Sequence, residues 1–192
     1  MSKRKQLDSL YKEYMRLFAN EKIVLGDGNE NCRLLLIGEA PGKDEVRLSK
    51  PFVGMAGKNL NEFLDVLGLQ RQDIYITNAI KYRLSKVNPK TGRIINRPAS
   101  KDEIIQNRDI LLREIGIINP EVIVTLGNVP LKAVTGDWNI SIGEVHGNIN
   151  HVKIDDREYK LYPLYHPASI IYNRSLKETY SQDLMKLKKY IG

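Results

Sequence analysis

Three observations predict an α/β fold in which helices flank both faces of a central, mostly parallel four-stranded sheet, a three-layer α/β/α arrangement. Short apolar runs of strand length recur at Arg33–Ile37, Asp73–Thr77 and Val122–Leu126. Segments with apolar residues at helical spacing separate them. The intervals between the runs are long enough for helical crossovers, as parallel pairing requires.

The elements follow in order. Leu7, Leu10, Tyr11, Tyr14, Leu17 and Phe18 repeat with helical period, so residues 4–19 are predicted as an amphipathic helix. Gly26 to Asn29 marks a loop, and RLLLI (33–37) reads as a buried strand that stops at Gly38. Leu60, Phe63, Leu64 and Leu67 outline the next helix, closed by Gly68, and DIYIT (73–77) is the second strand. Residues 84–99, rich in Lys, Asn, Pro and Gly, read as an exposed basic loop. Ser100 and Glu103 form a capping box ahead of a helix carrying Ile104, Leu111, Leu112 and Ile115. VIVTL (122–126) is the third strand, ended by Gly127. Residues 151–154 and 160–165 flank a turn at 155–157, and Leu176, Tyr180, Leu184, Leu187 and Ile191 give a last helix. With no repeat and no linker, the chain 1–192 is expected to form one domain.

Composition narrows the class of function. The 192 residues are 42% apolar, enough to build a full core. No apolar run approaches the roughly 18 residues of a membrane span. The basic start (Ser2, Lys3, Arg4, Lys5) is followed by no apolar segment of signal-peptide type. Cys32 is the only cysteine, which excludes an internal disulfide and a thiolate metal site and fits a reducing cytoplasm. Thirty Lys and Arg against twenty-three Asp and Glu give a net charge of +7, which suits a polyanionic partner or simply a basic surface.

In a doubly wound sheet the ligand crevice lies beyond the carboxyl ends of the strands. Four segments are predicted there: Gly38 to Gly42 (GEAPG), Thr77-Asn78-Ala79, Gly127-Asn128 and Tyr165-His166-Pro167. Together they bring a carboxylate, a carboxamide and an imidazole to one rim. A second Gly/Pro-rich turn, Pro51 to Gly57, carries an aromatic residue, Phe52.

These segments resemble the uracil-DNA glycosylase superfamily, most closely its family four. The motifs are GEAPG (38–42), KPFVGMAGKNL (50–60), YITNAIKYR (75–83), NRP (96–98), VIVTLG (122–127) and YHPAS (165–169), in the family's order across roughly residues 33 to 190. The resemblance implies a uracil flipped out of DNA into the rim pocket, since the bond to be cut is unreachable inside the stack. Gly38 and Ala40 fall in the pocket's first turn, and Phe52 matches the stacking aromatic. Asn78 matches the residue that reads the base edge, where a carboxamide can accept from N3–H and donate to O4. Glu39 matches the catalytic carboxylate, which would stabilise a cationic sugar and hold the attacking water. Glu45 falls on a second acidic position, with a base contact or a surface role as the alternatives.

His166 matches the second motif, where its ring or the neighbouring backbone N–H groups would donate to uracil O2 in the departing anion. Asn96 and Arg97 match a loop beside the pocket, Asn96 to place the water and Arg97 to meet phosphate. Ser169 is a further expected DNA contact. His146 is either structural or DNA-facing, and His151 has no expected role.

The chain departs from the family where an iron–sulfur cluster is usual. Tyr82 and Asn107 stand where cysteines are expected, and the N-terminal helix has no Cys-x-x-Cys pair. A cubane needs about four thiolates. No cofactor is therefore expected, and packing around Tyr82 and the first helix is expected to replace the cluster. The implied activity is hydrolysis of uracil from single- or double-stranded DNA by a cytoplasmic monomer. Two alternatives stand beside it: a nucleic-acid-binding relative without turnover, and a glycosylase for another deaminated base such as hypoxanthine. The motifs carry no lysine-nucleophile signature, which argues against a lyase.

Overall fold

The computed structural model describes residues 1–172 and 175–191. In chain order the helices and strands are α1 (Lys3–Leu17), β1 (Asp27–Gly28), β2 (Leu34–Gly38), α2 (Lys43–Leu48), α3 (Met55–Leu67), β3 (Ile74–Asn78), β4 (Ser85–Val87), β5 (Ile94–Asn96), α4 (Lys101–Ile118), β6 (Val122–Leu126), α5 (Asn128–Thr135), α6 (Ile142–Val145), β7 (Asn150–Ile154), β8 (Arg157–Leu164), α7 (Pro167–Tyr172) and α8 (Leu176–Ile191). No described helix is long and apolar enough to cross a membrane.

The three predicted strands are buried along their whole length because each is covered on both faces. Alternation sends Leu35, Ile37, Tyr75 and Ile123 to one core with α1, α4 and α5. Leu34, Leu36, Ile74, Ile76, Val122 and Val124 go to the other, with α3 and α8. β3, β2, β6 and β8 pair in parallel in that order, the expected four-stranded centre. An antiparallel strand borders it on each side, β1 against β3 and β7 against β8, so the sheet has six strands. β1 was expected as loop; its two residues carry no apolar pattern and pair through backbone alone.

Two further differences matter for the site. Residues 84–99 are not an unstructured loop but contain a hairpin, with Ser85, Lys86 and Val87 opposite Asn96, Ile95 and Ile94. The turn is closed by Asn88, whose N–H donates to Arg93 O at 2.8 Å and whose O accepts from Gly92 N at 2.8 Å. Gly92 has φ +66°, a value glycine adopts freely. The short helices α2, α5, α6 and α7 have no counterpart among the predicted elements, being too short for a clear periodic signal; α5 and α7 begin at the predicted rim segments.

A polar knot joins α1, β3 and α4 inside the first core. Lys81 Nζ lies 2.7 Å from Glu114 Oε2, and the two side chains are 1% and 0% exposed. Lys81 also donates to Thr77 Oγ1 and to Asn78 O, both at 3.0 Å. The other Glu114 oxygen accepts from the Tyr11 hydroxyl, which lies 2.6 Å from the Tyr75 hydroxyl. One turn along, the Tyr14 hydroxyl donates to Asn107 Oδ1 and accepts from Lys81 N at 2.9 Å. Asn107 Nδ2 in turn donates to Tyr82 Oη at 3.3 Å. Phe18 stacks obliquely between Tyr14 and Tyr82, with centroids 4.7 and 5.1 Å away.

Removing one partner of a buried ion pair strands the other charge. Glu114→Leu should therefore lower unfolding free energy by about 3–5 kcal/mol. The double variant Lys81→Met/Glu114→Leu should recover most of that loss. Chemical denaturation of wild type, single and double variants checks this, and a double variant no more stable than the single would refute it.

Candidate active site

The first wall of the site is built around a missing side chain. Gly38 ends β2 opposite Asn78 at the end of β3. A Cβ on Gly38 would lie 2.5 Å from Asn78 Oδ1 and 2.5 Å from Phe52 Cζ. Only glycine lets the carboxamide and the ring close in from both sides. The hydrogen-bonded register continues past the strands, with Ala79 N donating to Gly38 O and Ile80 N to Glu39 O. Asn78 is 3% exposed, yet its carboxamide makes no hydrogen bond among the described residues, while its backbone O is held by Lys81.

Phe52 holds a left-handed backbone, φ +53°, which is strained for an aromatic residue. The surroundings enforce it. Arg71, in a single 3-10 turn (Arg71–Asp73) leading into β3, donates to Phe52 O and Pro51 O, both at 2.8 Å. Glu45 Oε1 accepts from Val53 N at 3.1 Å and Gly54 N at 2.7 Å, and its Oε2 accepts from Gly42 N at 3.1 Å. Gly57 leaves room for the Phe52 carbonyl, which a Cβ there would approach to 2.1 Å.

The surface alternative for Glu45 is thus corrected, for the residue is buried. Its carboxylate borders the cleft, but both oxygens already accept backbone N–H groups that fix the GEAPG and PFVGMAG turns against each other. The sequence pattern alone could not reveal this, because an acidic residue in a turn is ordinarily solvated.

Glu39, beyond β2, accepts from Ala99 N at 3.1 Å through Oε1. Burial raises its pKa above the usual carboxyl value, partly offset by that hydrogen bond. His166 follows β8. Its Nδ1 accepts from Ala168 N at 3.1 Å, and burial lowers its pKa. A ring nitrogen that accepts carries no proton, so neutral His166 has its hydrogen on Nε2 and offers a donor there. Ser169 N donates to His166 O at 2.8 Å, which fixes the backbone of the same turn.

The cleft has two lobes. One, about 360 Å³, is lined by Ala40, Phe52, Asn78, Asn96 and His166 among others. The other, about 310 Å³, is lined by Glu39, Leu84, Arg97 and Pro98 and shares Ala40, Pro41, Asn96 and His166 with the first. Phe52, Asn78 and His166 thus line the first lobe, Glu39 lines the second, and His166 borders both. Asn96 also reaches the cleft, from β5, where its Oδ1 accepts from Arg83 Nε at 2.9 Å. Arg97 is engaged elsewhere: its guanidinium forks onto both oxygens of Glu103 at 2.8 and 2.6 Å. That pair holds the Glu103 carboxyl down at about 2, so a phosphate at Arg97 would have to compete with an existing partner. Of the alternatives for His146, the structure shows a structural contact, Nδ1 lying 2.7 Å from the buried Asp183 Oδ2. His151 is exposed beside Glu158.

Residues that sequence reasoning missed are Arg71, which clamps the Phe52 turn, and Lys81, which holds the Asn78 carbonyl. Arg71 carries no motif; Lys81 stands inside an apolar stretch, Ala79-Ile80-Lys81-Tyr82, which was a usable signal. A [4Fe–4S] cluster does not fit these residues. Cys32 is the only cysteine in the chain and is free. Tyr82 and Asn107 are hydrogen-bonded to each other. Among the described residues no group of three or more His, Cys, Asp and Glu converges to hold a metal.

The fold and site together define a doubly wound α/β protein with a carboxylate, an aromatic, a carboxamide and an imidazole at the carboxyl edge of its sheet. The chain belongs to the uracil DNA glycosylase superfamily, whose family model matches residues 25–188. It is 36% identical over 172 residues to the type-4 uracil-DNA glycosylase of Archaeoglobus fulgidus, covering 88% of this chain and 82% of that protein. The type-4 enzyme of Thermotoga maritima is also 36% identical, over 88% of this chain and 83% of its own length. That of Saccharolobus solfataricus is 36% identical over 88% and 76%.

Burial of Glu39 has a consequence for stability. Its folded pKa is raised, so the native state holds more protons than the unfolded state above the ordinary carboxyl value of 4.5. Stability is then lost as pH rises through that window. Glu39→Gln keeps an acceptor for Ala99 N and removes the charge. It should melt at a higher temperature than wild type at pH 7.5, and the difference should vanish near pH 4, below the ordinary carboxyl value. Thermal melts at both pH values test this; equal melting at pH 7.5 would mean that the carboxylate is not destabilising.

Proposed function

We propose that this chain is a monofunctional uracil-DNA glycosylase that acts as a monomer on DNA and leaves an abasic site. One observation carries the reading: a neutral imidazole with its donor at Nε2 lines one lobe with an open carboxamide and an enforced aromatic, and the adjoining lobe with a half-buried carboxylate. The names of the relatives support it, as does the basic balance of the chain, +7.

The chemistry follows from the groups. Phe52 offers a face for the flipped pyrimidine, and Asn78 accepts from N3–H and donates to O4, the pairing that uracil presents and cytosine reverses. Glu39 holds the water and takes its proton. The water oxygen bonds to C1′, the C1′–N1 bond breaks, and both its electrons leave on the base. The developing anion at O2 receives the hydrogen bond from His166 Nε2–H. A neutral donor suits this step because it needs no reorganisation, and its low pKa keeps it neutral at pH 7.

Removing one such donor costs roughly a hundred- to a thousandfold in turnover, about 3–4 kcal/mol. In single-turnover assays on a fluorescent uracil oligonucleotide, His166→Ala should lose that much while its melting temperature and DNA affinity change little. A folded variant that cleaves at the wild-type rate would make His166 structural.

Asn78→Asp keeps an acceptor but cannot donate to O4. Uracil release should fall sharply, and slow release of cytosine should appear. Chromatography of the freed bases reads both, and unaltered uracil release would show that Asn78 does not read the base.

A further inference from the structure

The hairpin β4–β5 borders the cleft, and its strand alternation decides which side chains continue the cleft's wall. Side chains at i and i+2 share a face of a strand. Ser85 pairs with Asn96 and Val87 with Ile94, so these four residues lie on one face and Lys86 and Ile95 on the other. Asn96 lines both lobes of the cleft. Val87 and Ile94 therefore extend the Asn96 face outward from the cleft.

Both are 62% exposed. Backbone hydrogen bonds at the 84/97 and 88/93 pairs make 87/94 a non-hydrogen-bonded pair, in which opposite side chains approach most closely. The two residues form one apolar ledge. Met55, 69% exposed, stands among the residues of the same cleft. The cations of the hairpin, Lys86, Lys90 and Arg93, are all exposed, and none of them makes an ion pair among the described residues. Arg97, by contrast, is tied to Glu103.

We infer that the hairpin is a DNA-docking element: Val87 and Ile94 pack against the nucleotide beside the extruded one, while Lys90 and Arg93 meet the flanking phosphates. An apolar wedge with cations around it is the chemistry that presses on an unstacked step and holds the backbone. Continuity with the cleft and charge complementarity select a nucleic-acid strand as the occupant. The turn supports this as a rigid mount, since Asn88 caps it through backbone and side chain, the latter accepting from Lys90 N at 2.9 Å.

The inference rests on the glycosylase reading for where the extruded base goes, but its test needs no turnover. The probe is a duplex containing a tetrahydrofuran abasic analogue, with 2-aminopurine placed on either side of it in turn. Wild type should bind and raise the 2-aminopurine fluorescence as the neighbour unstacks. Val87→Ser/Ile94→Ser should melt like wild type, bind about tenfold more weakly and lose most of that rise. Lys90→Ala/Arg93→Ala should lower the slope of log affinity against log salt by about two. Wild-type affinity and fluorescence in the serine variant, or an unchanged slope in the alanine variant, would overturn the docking role. A wild-type protein that binds this duplex and fails to cleave uracil would sink the proposed activity and leave the hairpin's role standing.

Discussion

The buried pair Lys81–Glu114 is the constraint from which the site inherits its geometry. A charge with almost no exposure persists only when its partners are complete, and here they come from three elements. Glu114 brings α4, Tyr11 brings α1, and Lys81, Thr77 and the Asn78 carbonyl bring β3 and its exit. The backbone that presents the Asn78 carboxamide is thus tied to the helices behind it. Directionality is what such a knot adds to an apolar core, because hydrogen bonds fix angles that packing alone leaves loose.

The same economy of position governs the region around Tyr82 and Asn107, where the sequence motifs led us to look for cysteines. Tyr14, Asn107, Tyr82 and Phe18 link α1, α4 and the segment after β3 through two side-chain hydrogen bonds and two ring contacts. A cluster would join such segments by covalent thiolate ligation, which depends on reduced cysteines and iron. Hydrogen-bonded tyrosines make the link without either.

The strands and the rim were legible in the sequence because their signals are local. Three apolar runs ending at Gly38, Asn78 and Gly127 give both the sheet and the edge where chemistry collects. The buried polar groups were harder to see, since Lys and Glu ordinarily mark a solvated face. In retrospect Glu114 falls on the stripe of Ile110, Leu111, Ile115 and Ile118, all buried, and a carboxylate on an apolar stripe is a sign of an internal partner. The partner itself lies 33 residues away, and no helical or strand period reports such a contact. The β4–β5 hairpin escaped for a different reason: three-residue strands are too short for alternation to stand out from the lysines and asparagines around them. Arg97 shows the converse limit, a motif residue whose charge is claimed by Glu103 six positions on.

Arg71 gives the pocket a property that neither wall has alone. Its guanidinium holds the carbonyls of Pro51 and Phe52, and its own backbone leads directly into β3, whose last residue is Asn78. The aromatic wall and the carboxamide wall are therefore fastened to the same short segment. One short segment thus works as a hinge pin common to both walls, so that a substitution at Arg71 would loosen the Phe52 turn from the strand that ends in Asn78.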